Sequence, residues 1–149
     1  MSAIYNFHKV SDLLACAGQP REGQLATIAE DGYKVVINLG LADGRYALKD
    51  EATSVKNLGV TYHHIPVIFG SPQIQDLTLF INLMNKHAHE KTFVHCAANY
   101  RASVFTGLYL YASGKLDEQQ MEGFIDEIWK PEPIWELFIE EAVDFLSLT

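Results

Sequence analysis

The chain has 149 residues, 48% of them apolar, and a formal net charge of −8, which suits one domain (1–149) with a real core. The acidic balance and the scatter of its cations argue against nucleic acid or an anionic membrane as the main partner. With no secretory-type start, no apolar run of the roughly 18 residues that span a bilayer, and only Cys16 and Cys96 as thiols, the expectation is a soluble cytoplasmic protein with both thiols reduced.

In chain order, "IYNFHKVS" and "LLACAG" read as edge strands. "PREGQLATIAEDG" (20–32) predicts a helix with Leu25, Ile28 and Ala29 on one face and Gly32 as its stop. "YKVVINL" (33–39) is a β-branched run suited to a strand buried on both faces. A second helix, 46–59, follows with Leu48, Ala52 and Val55 as its stripe, and then a strand-like "VTYHHIPV" (60–67). Residues 71–88 open with Ser71-Pro72, a cap and first-turn pair, and repeat apolar positions at helical spacing from Ile74 to Ala88. "TFVHC" (92–96) is a further strand, and 102–113 is apolar all round, as in a buried helix. Asp117 and Gln120 stand in capping-box spacing at the head of 117–129, and the last helix, 133–146, carries Trp135, Phe138, Ala142 and Phe145 on one face. Alternation of this kind predicts an α/β fold: a mainly parallel central sheet with helices on both faces.

The stretch "FVHCAANYRASVF" (93–105) sits where a strand passes into a helix. Open parallel sheets bind ligands beyond the carboxyl ends of their strands. There Cys96 would stand at a helix N-terminus, whose free N–H groups and dipole favour an anion and lower thiol pKa values to about 3.5–7.5. Arg101 adds a planar fork suited to two oxygens of a tetrahedral oxyanion. A nucleophile, an anion cradle and a clamp fall within six residues, a set fitted to displacement at phosphorus or at sulfur. A lone buried cysteine with a helix-starting arginine is more often structural. The strand before, the apolar helix after and His95 beside the cysteine reverse those odds.

"VHCAANYRAS" resembles the signature loop of cysteine-dependent phosphatases of the protein-tyrosine and dual-specificity type. It is most similar to the bacterial phosphatase-like family named after beta-lactamase-hydrolase-like proteins, with "GQP" at 18–20, "VIN" at 36–38, "IPV" at 65–67 and Cys96-x4-Arg101 in order. The resemblance implies a tyrosine-phosphatase-like fold and a phosphorylated substrate, with no cofactor. Cys96 would form a phosphocysteine. Arg101 and the N–H groups of Ala97, Ala98, Asn99 and Tyr100 would hold the phosphate, His95 would orient the loop, and Ser103 would donate to the sulfur. The chain departs from that pattern in three ways. The loop is one residue shorter than Cys-x5-Arg, matching rhodanese-type sulfurtransferases. Asn99 replaces the mid-loop glycine, for which it should take a left-handed conformation. The segment after "IPV" has no aspartate, so acid work falls to Asp43 or Asp76. A sulfurtransferase and a non-catalytic phosphate-binding module are the alternatives.

Of the remaining candidates, His63 and His64 are adjacent on a strand and point to opposite faces, so they cannot share a metal. His87 and His89 are poorly spaced as ligands, and no metal is expected. Cys16 is expected as a buried small residue, with a resolving thiol as the alternative. Trp129 and Trp135, which flank "KPEP", are expected in the packing of the last two helices, with a partner surface as the alternative.

Overall fold

Short apolar, β-branched runs are where the chain extends. The computed structural model, which describes residues 1 and 3–148, has strands β1 (His8–Ser11), β2 (Leu14–Ala17), β3 (Val35–Asn38), β4 (Thr61–His64) and β5 (Thr92–His95). Its helices are α1 (Glu22–Glu30), α2 (Glu51–Lys56), α3 (Ile74–Lys86), α4 (Tyr100–Ala112), α5 (Glu118–Asp126) and α6 (Pro133–Ser147). The sheet runs β1-β2-β5-β3-β4, parallel except for the β1–β2 pair at one edge. This is the expected α/β architecture.

Period-two alternation explains the layers. Cys16, Ile37, Val94 and Cys96 point into a core shared with α3, α4, α5 and α6. Ala15, Val36 and Phe93 point the other way, against Leu25 and Ile28 of α1 and Val55 of α2. The helix with no polar face, α4, is buried from Arg101 to Leu110 and is wrapped by the sheet, α3, α5 and α6.

Several boundaries differ from the sequence reading for local reasons. Of the two N-terminal strands β1 alone lies at an edge; β2 lies between β1 and β5 and is buried along its length. Burial there overrides the weak strand propensity of Ala15 and Ala17. Asp50 accepts the Thr53 N–H at 3.3 Å and so starts α2 at Glu51, leaving 46–50 as loop. Ser71 and Pro72 precede α3 instead of capping it; Gln73 is the extended residue at its start. The Asp117–Gln120 capping box does form, with bonds of 2.8 and 2.9 Å. On α6, Phe145 is 39% exposed, and Val143 takes its place in the core. Most consequential, α4 begins at Tyr100, which puts Arg101 in its first turn. Among the described residues, no helix is long and apolar enough to cross a membrane.

Candidate active site

Cys96 is the first residue beyond β5, and its Sγ accepts the backbone N–H of Ala102 at 3.4 Å. Ala102 lies in the first turn of α4, so the sulfur stands over the unpaired donors and positive dipole end of a helix. Asn99 turns the chain into that helix at φ 71°, in the expected left-handed conformation, and its side-chain amide donates to the Asn6 carbonyl at 2.9 Å. The loop's carbonyls are drawn outward. Cys96 O accepts from His95 Nδ1 at 3.2 Å, Ala97 O from the Gln19 N–H at 2.9 Å, and Ala98 O from the Asn6 amide at 3.0 Å. A trans peptide opposes its C=O and N–H, so carbonyls turned out leave donors turned in. The N–H groups of Ala97, Ala98, Tyr100 and Arg101 have no acceptor among the described residues. Gly18 makes this close packing possible, since a Cβ there would lie 2.7 Å from Ala97 O. The "GQP" segment is therefore the outer wall of the loop.

Arg101 is 8% exposed. Its Nη1 donates to the Val67 carbonyl at 2.9 Å, and its guanidinium carbon lies 5.9 Å from the centre of the Phe69 ring. Its Nε is buried and has no partner among the described residues. An unmet buried donor carries its desolvation cost until an acceptor arrives, which an oxyanion would supply. The end of "IPV" thus aims the fork. Over the loop lies an open cavity of about 270 Å³ whose walls include Phe69, Cys96, Tyr100, Arg101 and Glu132.

Glu132 is the carboxylate in that wall, and sequence reasoning missed it. Pro131 and Pro133 flank it and restrict its backbone. Trp129 stacks on Tyr100 with ring centres 4.4 Å apart and planes 6° from parallel, and Trp135 Nε1 donates to Phe69 O at 2.8 Å. Both tryptophans pack inward, one on either side of the segment that puts Glu132 in the cavity wall. The available signal was a carboxylate between two prolines, with Trp129 and Trp135 each two residues beyond a proline.

The alternation of β5 sends His95 to the face opposite Cys96, where it meets α2. Its Nε2 lies 2.6 Å from Glu51 Oε2, and Glu51 Oε1 accepts from Gln19 Nε2 at 2.8 Å. The ring therefore faces two acceptors, the Cys96 carbonyl and the Glu51 carboxylate. Burial pushes the Glu51 carboxyl up, but the hydrogen bond and charge of His95, with the Gln19 amide, hold it below its ordinary range. A buried chain of Gln19, Glu51 and His95 thus ends on the carbonyl of Cys96.

Other candidates fall elsewhere. Ser103 Oγ donates to the Tyr100 carbonyl at 2.9 Å, not to the cysteine, whose sulfur meets the Ala102 N–H instead. Asp43 is exposed in the β3–α2 loop and Asp76 sits in the first turn of α3, where burial raises its carboxyl; neither lines the cavity over Cys96. Cys16 is buried beneath the loop, where Asn99 Nδ2 lies 3.5 Å from its sulfur, and burial pushes its thiol up to about 12. That makes it a neutral packing group rather than a resolving thiol. Among the described residues, no three His, Cys, Asp or Glu side chains gather as a metal set.

His63 and His64 do point apart: His64 Nε2 lies 2.6 Å from Gly40 O, and His63 Nε2 lies 3.0 Å from His87 Nε2. His87 Nδ1 in turn pairs with Glu90 at 2.7 Å. Burial, then the charges of His87 and Lys86, hold His63 below its ordinary value. The unfolded chain then binds more protons than the folded one, so this stability is present above about pH 6.5 and is lost as pH falls below it. Melting temperatures should drop more steeply from pH 6.5 to 5 in the native protein than in His63→Gln; identical slopes would refute the coupling.

No family model matches the chain. A beta-lactamase hydrolase-like protein of Xylella fastidiosa is 25% identical over 116 residues, which make up 76% of this chain and 27% of that protein. The chain thus spans about a quarter of the length of the curated relatives it matches. A DUF442 protein of Shewanella putrefaciens CN-32, provisionally assigned as a phosphatase, superposes at TM-score 0.88 with 29% identity over 97% of this chain and 95% of that one. A second such structure from the same organism gives 32% identity and TM-score 0.83, covering 95% of this chain and 90% of that one. Tk-PTP, at 18% identity and TM-score 0.81 over 96% of this chain and 97% of its own, shares the fold.

Proposed function

We propose, from the premise that the chain belongs to the DUF442 and beta-lactamase-hydrolase-like family of tyrosine-phosphatase-like proteins, that it hydrolyses phosphate monoesters through a phosphocysteine. The supporting observation is that three things meet at one cavity. These are a thiol over a helix N-terminus, inward N–H groups without acceptors, and a buried Arg101 Nε without a partner. Such a ring matches the equatorial oxygens of a phosphoryl group in transfer, where positioning and charge stabilisation do most of the work. The Cys96 thiolate attacks phosphorus, forming the P–S bond as the P–O bond to the leaving group breaks. Water then attacks phosphorus and returns the thiolate with inorganic phosphate.

Glu132 is the carboxylate placed to give a proton to the departing oxygen and to take one from the water. Proton transfer of this kind contributes about 10²–10⁴-fold. Glu132→Gln should therefore lower kcat about 10²-fold on phenyl and alkyl phosphates and much less on nitrophenyl phosphate, whose leaving group needs little help. A uniform loss across leaving groups would remove Glu132 from proton transfer.

The four-residue spacer keeps sulfur transfer as the reading to test against. One preparation is assayed for vanadate-sensitive aryl phosphate hydrolysis and for sulfur transfer from thiosulfate to cyanide. Robust sulfur transfer with no ester hydrolysis would overturn the phosphatase reading.

A further inference from the structure

The last helix has two apolar faces. Trp135, Phe138 and Ala142 turn inward as the core face of α6. On the outside, Ile134, Leu137, Phe145 and Leu148 are 51%, 66%, 39% and 87% exposed. Together with Glu141 these residues follow one another at spacings of 3, 4, 4 and 3, which is a single stripe along a helix. Single exposed apolar side chains are ordinary on protein surfaces, whereas four in register mark a contact face.

Charge beside the stripe is one-sided. Residues 117–149 hold ten carboxylates and one cation, Lys130, while residues 1–116 hold nine carboxylates and ten cations. The formal charge of −8 is thus −9 on the C-terminal segment and +1 on everything before it. Lys130 is already paired with Asp126 at 3.4 Å. Glu136, Glu140, Glu141 and Asp144 of α6 are all exposed, and none makes an ion pair among the described residues. Between α5 and α6 lies a groove of about 280 Å³, where three carboxylates of α5 and Glu136 and Glu140 of α6 surround Ile125, Ile139 and Val143. At about 100° per residue, Glu140 and Asp144 fall on the flank of the stripe nearest this groove.

That charge decides between occupants. A second copy would set carboxylates against carboxylates, and an anionic lipid surface would be repelled. A cationic chain gains both on approach and in contact. From Ile134 to Leu148 the stripe runs about 21 Å along the axis, the length of a four-turn helix laid beside it.

We propose that α6, with the acidic groove at its side, docks an amphipathic helix of another protein that presents apolar residues at helical spacing and a flank rich in Lys and Arg. The inference is independent of the phosphatase reading, since none of these α6 residues lines the cavity over Cys96.

The probes are two synthetic peptides of about 18 residues, long enough to hold a helix. Both carry leucines at helical spacing, with lysines at the remaining positions of one and glutamates in the other. Affinities for the native protein are measured by fluorescence anisotropy. Charge complementarity and loss of two leucine contacts are each worth about tenfold or more in affinity. The lysine peptide should therefore bind more tightly than the glutamate peptide by that factor, and Leu137→Ser with Leu148→Ser should weaken it as much. Glu136→Lys with Glu140→Lys should also weaken it, and by less as salt shortens the Debye length from about 10 Å at 0.1 M to about 3 Å at 1 M. All four positions are exposed, so melting temperatures should stay close to that of the native protein. Equal affinity for the two peptides overturns the inference. So does a lysine peptide whose binding survives the paired leucine substitutions, because that is attraction to an acidic surface without docking. A native dimer that the leucine substitutions convert to monomer gives the face to a second copy, and leucine-dependent binding to phosphatidylcholine vesicles without peptide binding gives it to lipid; either result overturns the inference as well.

Discussion

Cys96→Ser protein will fold, bind inorganic phosphate and turn over no aryl phosphate. The substitution keeps the side chain's shape at a site where the residue is 1% exposed, so stability should change by no more than about 1 kcal/mol. The hydroxyl can still accept the Ala102 N–H, and the ring of donors is made by backbone that the substitution does not touch. What disappears is a group ionisable enough to attack phosphorus. Loss of a nucleophile of this kind costs on the order of 10⁴-fold or more in kcat. Hydrolysis retained within tenfold in clean Cys96→Ser protein would sink the covalent mechanism. A protein that no longer binds phosphate would mean that the sulfur holds the loop open, a structural role that the geometry does not support.

The parts of this site legible in the sequence are those with local causes. A strand ending in His95-Cys96 and an all-apolar helix after it fix where the sulfur sits relative to α4. A loop that must curl its donors inward needs a positive φ, and Asn99 is the residue that tolerates one. What the sequence could not show is set by pairing between distant segments. β2 enters the middle of the sheet because parallel pairing with β5 buries Ala15 and Ala17, a gain with no signature in their own propensity. Asp43 and Asp76 attract attention because they follow strands, yet the packing of the segment before α6 decides which carboxylate lines the cavity over Cys96, and it brings Glu132. Ser103 illustrates the same limit at short range. One turn into a helix, its hydroxyl finds the Tyr100 carbonyl before it can find the sulfur.

Glu51 is the second residue that pairing reveals, and its substitution should have the largest effect of any outside the cavity. Its sequence context, next to the helix-capping Asp50, reads as an ordinary solvated first turn. In the fold it is 6% exposed and holds the fully buried His95 on one oxygen and Gln19 on the other. Removing it as Glu51→Ala leaves the buried His95 ring nitrogen without an acceptor and the Gln19 amide with only the Pro20 carbonyl, a change that costs about 3–5 kcal/mol when a buried pair is broken. Glu51→Gln keeps the shape and one acceptor, so it should cost less, about 1–3 kcal/mol, and leave a folded protein to study. The carboxyl is held below its ordinary range in the folded state, so its contribution is present above about pH 4.3 and is lost as pH falls through the folded value. In Glu51→Gln that acid dependence should flatten. The more informative readout is the thiol. The Glu51 carboxylate fixes the His95 ring at one nitrogen, and the other nitrogen donates to the carbonyl of the residue bearing the sulfur. An amide in its place offers one acceptor where the carboxylate offered two, so the ring and the loop it supports are held less firmly, and Cys96 should then react more slowly with iodoacetamide at neutral pH, while the rate in denaturant stays the same as in the native sequence. This measurement needs no substrate. Alkylation of folded Glu51→Gln at the native rate and with the native pH profile would confine Glu51 to stability. A slowed reaction in a protein that stays folded would make Glu51, acting through His95, a positioning residue for the loop that carries Cys96.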